Sequence, residues 1–448
     1  MSKVLKIKRG ADIKLVGGAE KILTDLPMPH TVAIKPSDFE GTTAKMLVKV
    51  GDEVKAGSTL FYNKDNDKIK FTSPVSGEVA EIKRGAKRVL QEVVIVVDKE
   101  TKYVDFKAAD PAKESRENII NKLCESGVWP FIKQRPYDVV ANPNDTAKAI
   151  FISVFDSSPL APDNDFIVHG QAATFQKGID VLSKLAEVHL TVNNAAKADE
   201  AFLQAKNVTI HSIEGPHPAG NVGVHIHHFM PICKGEIVWT LKPQDVLTIG
   251  RLFEKGQFDG GRIVAITGAQ VKTPKYYRTV LGASLKTLLA DNLKEGNNRI
   301  ISGNVLTGTK LEEEGYIGFY DSHITVIPEG GEAQMFGWIL PNPGKFSISR
   351  ALVSWMSPNK KYNLDANMNG EERPFVVTEE YDKVFPFDIF PVQLVKSIMI
   401  EDIELMENLG IYEVAPEDFA LCETVCTSKI ATQTIVRDGL TMLRNEMS

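Results

Sequence analysis

Apolar and polar positions alternate with period two along MLVKVGDEVKAGSTLFY, the stretch that begins at Met46. The alternation breaks at Gly51-Asp52 and again at Ala56-Gly57, where turns need small or positive-φ residues. It predicts strand, turn, short strand. The following KIKFTSPVSGEVAEIKRG repeats that logic: Pro74 opens a turn, Gly77 closes it, and Glu78 to Ile82 resumes the alternation. Two related β units folded on each other predict a flattened barrel. Beyond Lys99 the period changes. Pro111 to Ser126 reads as a helix opening on Asp110-Pro111, with Ile119, Ile120 and Leu123 on one face. AIFISVF is a buried strand by length and β-branched content, Ala172 to Leu185 a helix, and Val188 to Val192 the next strand. Strand, helix, strand predicts a parallel sheet of Rossmann type. From Gly261 onward, RIVAITG, RIISGNVLTG and HITVIPEGG read as strands around a helix at Ser284 to Leu293, a small β-grasp unit. Glu401 to Leu409 is helical, and Ala415-Pro416-Glu417-Asp418 starts a helix with acidic residues at the favourable end of its dipole.

Length fits this reading: 448 residues exceed one ordinary core, and about 150 residues per domain implies several domains. A net charge of -6 with mixed signs argues against a nucleic-acid binder, which would show a basic face with interleaved aromatics. No stretch approaches the roughly 18 apolar residues that span a bilayer. The basic start MSKVLKIKRG is not followed by an apolar signal region, so the chain is expected in the cytosol, with any membrane role arising through a partner. Four cysteines are too few for a disulfide scaffold, and only Cys422 and Cys426 form a close pair.

Three stretches carry candidate chemistry. The V-G-D-x-V-x-x-G-x-x-L and P-V-S-G-x-V patterns between Met46 and Ile82 resemble biotinyl/lipoyl carriers and the wider barrel-sandwich hybrids, in which a hairpin lysine is acylated. Lys68 stands roughly at that place. Against a carrier role, the hairpin reads Asp67-Lys68-Ile69, its spacing to Pro74 is short, and Lys64 and Lys70 make another lysine unremarkable. A nucleotide- or flavin-binding sheet needs a glycine-rich turn after a strand, so that backbone N–H groups reach phosphate. The segment ESGVWPFIKQRPYD offers Trp129, Pro130 and Phe131 instead. The histidine-rich IHSIEGPHPAGNVGVHIHHFMPICKGEIVW holds His211, His217, His225, His227 and His228, with Cys233 nearby. Metal binding is one reading, but no fixed Cys/His zinc spacing emerges. The other is a polar strand and loop at an interface, with His225 and His227 alternating onto one side and His228 onto the other. The expected quinone- or partner-facing residues are His217, His225, His227, His228 and Phe229; no catalytic residue and no metal ligand is expected.

The phrases KFTSPVSGEVAEIKRGAKRVLQ, GPHPAGNVGVHIHHFMP and LGIYEVAPEDFALCETVC, in this order, resemble the family of A subunits of the sodium-translocating NADH:quinone reductases over essentially the full chain. The resemblance implies an α/β multidomain fold. A barrel-sandwich hybrid of biotinyl/lipoyl type spans 1–100, a Rossmann-like α/β domain 101–256, a β-grasp domain of the soluble-ligand-binding (SLBB) type 257–335, and a linker with a C-terminal helical domain 336–448. It also implies a peripheral subunit on the cytoplasmic face of the bacterial inner membrane, one of six in a complex that oxidises NADH, reduces ubiquinone and exports sodium ions. Its partners are then the five other subunits, chiefly the membrane-embedded B subunit, and ubiquinone is the substrate of the complex. NADH, flavins and the iron–sulfur centre lie on other subunits, and the isolated chain is non-catalytic. The C subunit of the Rnf complex and the flavin subunit of complex I have a similar layout and do carry cofactors. In them, cysteines at C-x-x-C spacing hold a cluster; here Cys422 and Cys426 stand at C-x-x-x-C, which suits two buried thiols. The competing functions are an independent flavin or NADH dehydrogenase, which needs the missing phosphate loop, and an acyl carrier, which needs a modified Lys68.

Overall fold

The computed structural model describes residues 4–331, 335–337, 340 and 342–447. The alternating stretch forms the predicted sandwich. One sheet pairs Thr31–Ile34, Leu90–Val97, Gly77–Arg84 and Glu53–Val54, and the facing one pairs Ala44–Met46, Thr59–Asn63 and Asn66–Thr72. Phe61 and Phe71 of the second sheet are buried and stacked at 4.7 Å between centroids, and Phe39, just after the turn Pro36–Asp38, packs against them. The tight turn of the second sheet falls at Lys64-Asp65. Lys68 therefore sits within the outgoing strand, exposed, and not at the hairpin tip.

The sheet of the α/β unit has the order Leu5–Lys6, Thr209–Glu214, Glu187–Asn193, Ala149–Ser153, Val238–Leu241, Lys133–Arg135, Val139–Val140. Its first five strands run parallel and the last two antiparallel. From Ala149–Ser153 the chain builds outward in one direction and then crosses back to place Val238–Leu241 on the other side, which creates a switch point between those two strands. The helices Ala172–Leu182 and Pro243–Lys255 pack on each other, with Gly178 facing the Val246 backbone and Gly250 facing that of Thr174. Neither site has room for a methyl group.

A further sheet, ordered Thr309–Leu311, Asn298–Ser302, His323–Pro328, Gly261–Thr267, Lys275–Val280, Glu20–Asp25, is the β-grasp unit. Its helix is short, Leu285–Leu288, because the chain turns away at Leu289 where a longer one was expected. The C-terminal unit buries Tyr381, Phe385, Phe419 and both Cys422 and Cys426. Cys422 lies inside the helix Ala420–Val425, and Cys426 is the extended residue that caps it.

Two expectations are corrected here. The first thirty residues do not belong wholly with the barrel: Leu5–Lys6 adds an edge strand to the α/β sheet and Glu20–Asp25 adds one to the β-grasp sheet. The part of the histidine stretch that holds His225, His227 and His228 is a helix, Val222–Phe229, not a strand, whereas His211 does lie on a strand, Thr209–Glu214. Val222, Val224 and Ile226 mimic strand alternation, yet this helix is sandwiched between the α/β sheet and the C-terminal unit, so apolar residues are wanted on more than one face.

Candidate functional site

A cavity of about 290 Å³ opens at the carboxyl ends of Ala149–Ser153 and Val238–Leu241, the switch point of the α/β sheet. In open α/β sheets this crevice is where ligands bind. The loop after the first of these strands supplies Phe155, Asp156 and Ser158, and the start of the helix after the second supplies Lys242 to Asp245. Pro243 opens that helix, and the Asp245 carboxylate accepts the Lys242 N–H at 3.1 Å. The β-grasp unit adds Arg262, Gly303, Asn304 and Tyr320 to His323, and the C-terminal unit adds Glu417.

The charged side chains in this wall have partners within the chain. Arg262 donates to Asp245 at 2.5 Å, with its guanidinium 4.8 Å over the ring of Phe131. Lys133 and Arg437 both donate to Asp138. Buried Arg135 donates to Glu417 at 2.7 Å and lies 3.8 Å from Asp418. Lys242 Nζ donates to the Tyr320 carbonyl at 2.8 Å, and Asp321 accepts the Ser302 hydroxyl at 2.5 Å. Burial pushes the Asp418 carboxyl up to about 7, with Arg135 opposing and Glu417 adding to the rise.

The five residues singled out in the sequence go to different places, and only His217 reaches the cavity. Its Nδ1 meets Ser157 Oγ at 3.0 Å, and its backbone N–H donates to Asp12 at 2.9 Å. His225 is fully buried and donates Nε2–H to the Ala219 carbonyl at 2.8 Å, and burial lowers it to about 4. His227 accepts the Asp388 N–H on Nε2 at 3.1 Å, so Nδ1 carries the proton it gives Glu413 at 2.7 Å. His228 donates to the Pro386 carbonyl at 3.0 Å. These two histidines fasten the helix to the C-terminal unit. Phe229 stacks on His211 at 4.0 Å, at the end of a ladder running through His189 to Phe151.

The segment searched for a phosphate loop, Ser126 to Tyr137, is not the switch-point loop. That position belongs to Val154 to Asp163, VFDSSPLAPD, which has no glycine. Trp129 packs edge-on against Trp239 at 5.4 Å and donates to the Ala141 carbonyl, whereas Phe131 stacks on Phe319 at the cavity wall. Sequence reasoning missed Arg135, Ser158, Tyr320, His323 and Glu417, which meet only in three dimensions. Among the described residues no group of three or more His, Cys, Asp or Glu side chains is placed to hold a metal ion, and no helix is long and apolar enough to cross a membrane.

Comparison with known proteins places this architecture. Residues 5–98 match the NqrA N-terminal barrel-sandwich hybrid domain, 114–258 the NqrA second alpha/beta domain, and 263–313 the NQRA C-terminal domain. The A subunit of the Na(+)-translocating NADH-quinone reductase of Yersinia pestis bv. Antiqua (strain Angola) is 38% identical over 446 residues, covering 99% of this chain and 100% of the relative. The chain belongs to the NqrA family of Na(+)-translocating NADH-quinone reductase subunits. The NqrA relative from Neisseria meningitidis serogroup A is 37% identical over 447 residues, again 99% of this chain and all of the relative. Among solved structures, an air-oxidized NAD+-reducing [NiFe]-hydrogenase aligns over 76% of this chain and 64% of its own, with a TM-score of 0.40 and 11% identity. As an NqrA family member the chain is one component of a reductase complex, with a barrel-sandwich domain, an α/β domain and an SLBB domain.

Proposed function

We propose that this chain is a peripheral component on the cytoplasmic face of the membrane, docked on the membrane subunits, chiefly the B subunit, and contributing to the quinone-reduction step coupled to Na+ export. The observation that carries the quinone part is the state of the switch-point cavity: every cationic side chain in its wall named above is engaged by an internal acceptor. A doubly wound sheet that takes a dinucleotide or flavin phosphate keeps backbone and cationic donors free for it. A cavity with its charges paired off suits an uncharged ligand. In this reading NADH, flavins and the iron–sulfur centre reside on the other subunits, ubiquinone is the substrate of the complex, and the isolated chain does not turn over.

Docking is supported by the irregular stretch before the C-terminal helices, where Trp355, Met356, Val376 and Val377 are exposed, and by Phe390, Met399 and Ile400 at the ends of Pro391–Met399. Apolar exposure on this scale commonly marks a protein interface. A photoreactive ubiquinone analogue applied to the assembled complex under turnover tests the reading: cross-links to this chain are expected. Exclusive labelling of membrane subunits, or flavin-dependent NADH oxidation by the isolated chain, would overturn it.

A further inference from the structure

Between Pro343 and Leu364 the sequence holds Lys345, Arg350, Lys360 and Lys361 and neither Asp nor Glu, in a chain whose net charge is -6. The stretch folds around buried Tyr362, whose ring packs against Phe346 at 5.6 Å between centroids and whose hydroxyl donates to the Ser354 carbonyl at 3.5 Å. The Tyr362 backbone donates to the Lys14 carbonyl and accepts the Val16 N–H, which brings a fifth cation, Lys14, into the group. These contacts make the stretch a small platform fixed to the N-terminal segment.

The cations of this platform are held differently from those of the cavity wall. Lys14 Nζ donates to the Pro358 carbonyl at 3.0 Å, Lys360 Nζ to that of Pro343 at 2.6 Å, and Lys345 Nζ to the Asn369 side chain at 3.0 Å. The Arg350 guanidinium lies 5.7 Å from the ring centre of Trp355, and Lys361 is exposed with no partner among the described residues. None of the five has a carboxylate at ion-pair distance among the described residues, so neutral groups position them and their charge is left uncompensated. Directly after Ser354, at the end of the short turn Val353–Met356, Trp355 is 56% exposed and Met356 66%. Protein interfaces are depleted in lysine, and four of these five cations are lysines. Lysine and arginine reach anionic head groups on long stems while an amphipathic Trp ring sits at head-group level, so this combination suits a lipid surface.

We propose that the platform rests on anionic lipid beside the membrane subunits, with Trp355 and Met356 entering the head-group layer and Lys14, Lys345, Arg350, Lys360 and Lys361 meeting lipid phosphates. This contact rests on the reading that the chain docks at a membrane, and names lipid as a second partner there.

The full chain, mixed at low salt with phosphatidylcholine vesicles containing phosphatidylglycerol, should sediment with them and be released by about 0.5 M salt, which screens exposed charges. Lys361→Gln should weaken binding about 5-fold and Trp355→Ala about 10-fold, with melting temperatures unchanged because both side chains are exposed. In the assembled complex in its native membrane, a benzoylphenylalanine in place of Trp355 should cross-link to lipid on illumination. Failure to sediment with the anionic vesicles at low salt, or binding that neither substitution weakens, would overturn the lipid contact. A cross-link from position 355 to a membrane subunit would overturn it too, replacing lipid with protein while leaving the docking reading intact. Recovery of the chain in neither the membrane nor the purified complex would sink both.

Discussion

Arg135 and Glu417 meet through a 2.7 Å hydrogen bond from Nη2 to Oε1, joining the antiparallel edge of the α/β sheet to the C-terminal unit. Arg135 is buried and faces Asp138 and Asp418 as well. Removing one partner from such a cluster strands the others in a poorly solvated site. Arg135→Met is expected to destabilise the protein by about 3–5 kcal/mol, read as a shift in the denaturant midpoint. A loss below about 1 kcal/mol would show that water already screens the cluster.

Acid should weaken the fold through its buried imidazoles. His225 falls from an ordinary 6.5 when unfolded to about 4 when folded, with burial the leading cause. The unfolded chain therefore binds the extra proton first, so this contribution is intact above pH 6.5 and is lost as pH falls toward 4, about 3 kcal/mol at its limit. His189, His211, His217, His228 and His323 are lowered too and act in the same sense. Melting temperatures across this range should fall more shallowly in His225→Gln, whose amide can still donate to the Ala219 carbonyl. An unchanged slope would remove His225 from the account.

Thiol reactivity should divide one against three. Cys233 is exposed, whereas Cys124, Cys422 and Cys426 are buried, with burial raising Cys124 to about 12 and Cys422 well above its usual value. Thiolate is the reactive form. Titration of the native protein with a disulfide reagent should show one fast thiol that disappears in Cys233→Ser, the rest appearing only on unfolding. Rapid modification of Cys422 would contradict the packing described for the C-terminal unit.

Gly178 is required by the contact between Ala172–Leu182 and Pro243–Lys255. A methyl group there would press into the Val246 carbonyl, which is backbone and cannot swing away. Gly178→Ala should cost about 1–3 kcal/mol despite the better helix propensity of alanine. Greater stability in urea would mean that the two helices separate easily.

What the sequence discloses is what is written locally. The barrel reads clearly because its strands are joined by short turns, and Gly51, Gly57, Pro74 and Gly77 mark them. The histidine helix misled because Val222, Val224 and Ile226 satisfy strand period as well as burial on two sides. The cavity was illegible for a different reason: Ser158, His217, the pair Tyr320 and His323, and Glu417 lie on four segments far apart in sequence, and each alone looks like an ordinary polar residue. His217 stood out only as one of the histidines of a histidine-rich stretch, and it alone of the five singled-out residues reaches the crevice.

The N-terminal strands also set a timetable for synthesis. Leu5 has no sheet neighbour until Ile213 has been made, and Glu20 none until Lys275. At roughly 5–20 residues per second that interval is on the order of ten seconds or longer, during which the barrel behind them has everything it needs to close. The segment Leu5 to Asp25 is therefore among the last parts to find its place, and it ties the α/β and β-grasp sheets together when it does. A change in this segment would act on two sheets well downstream of it.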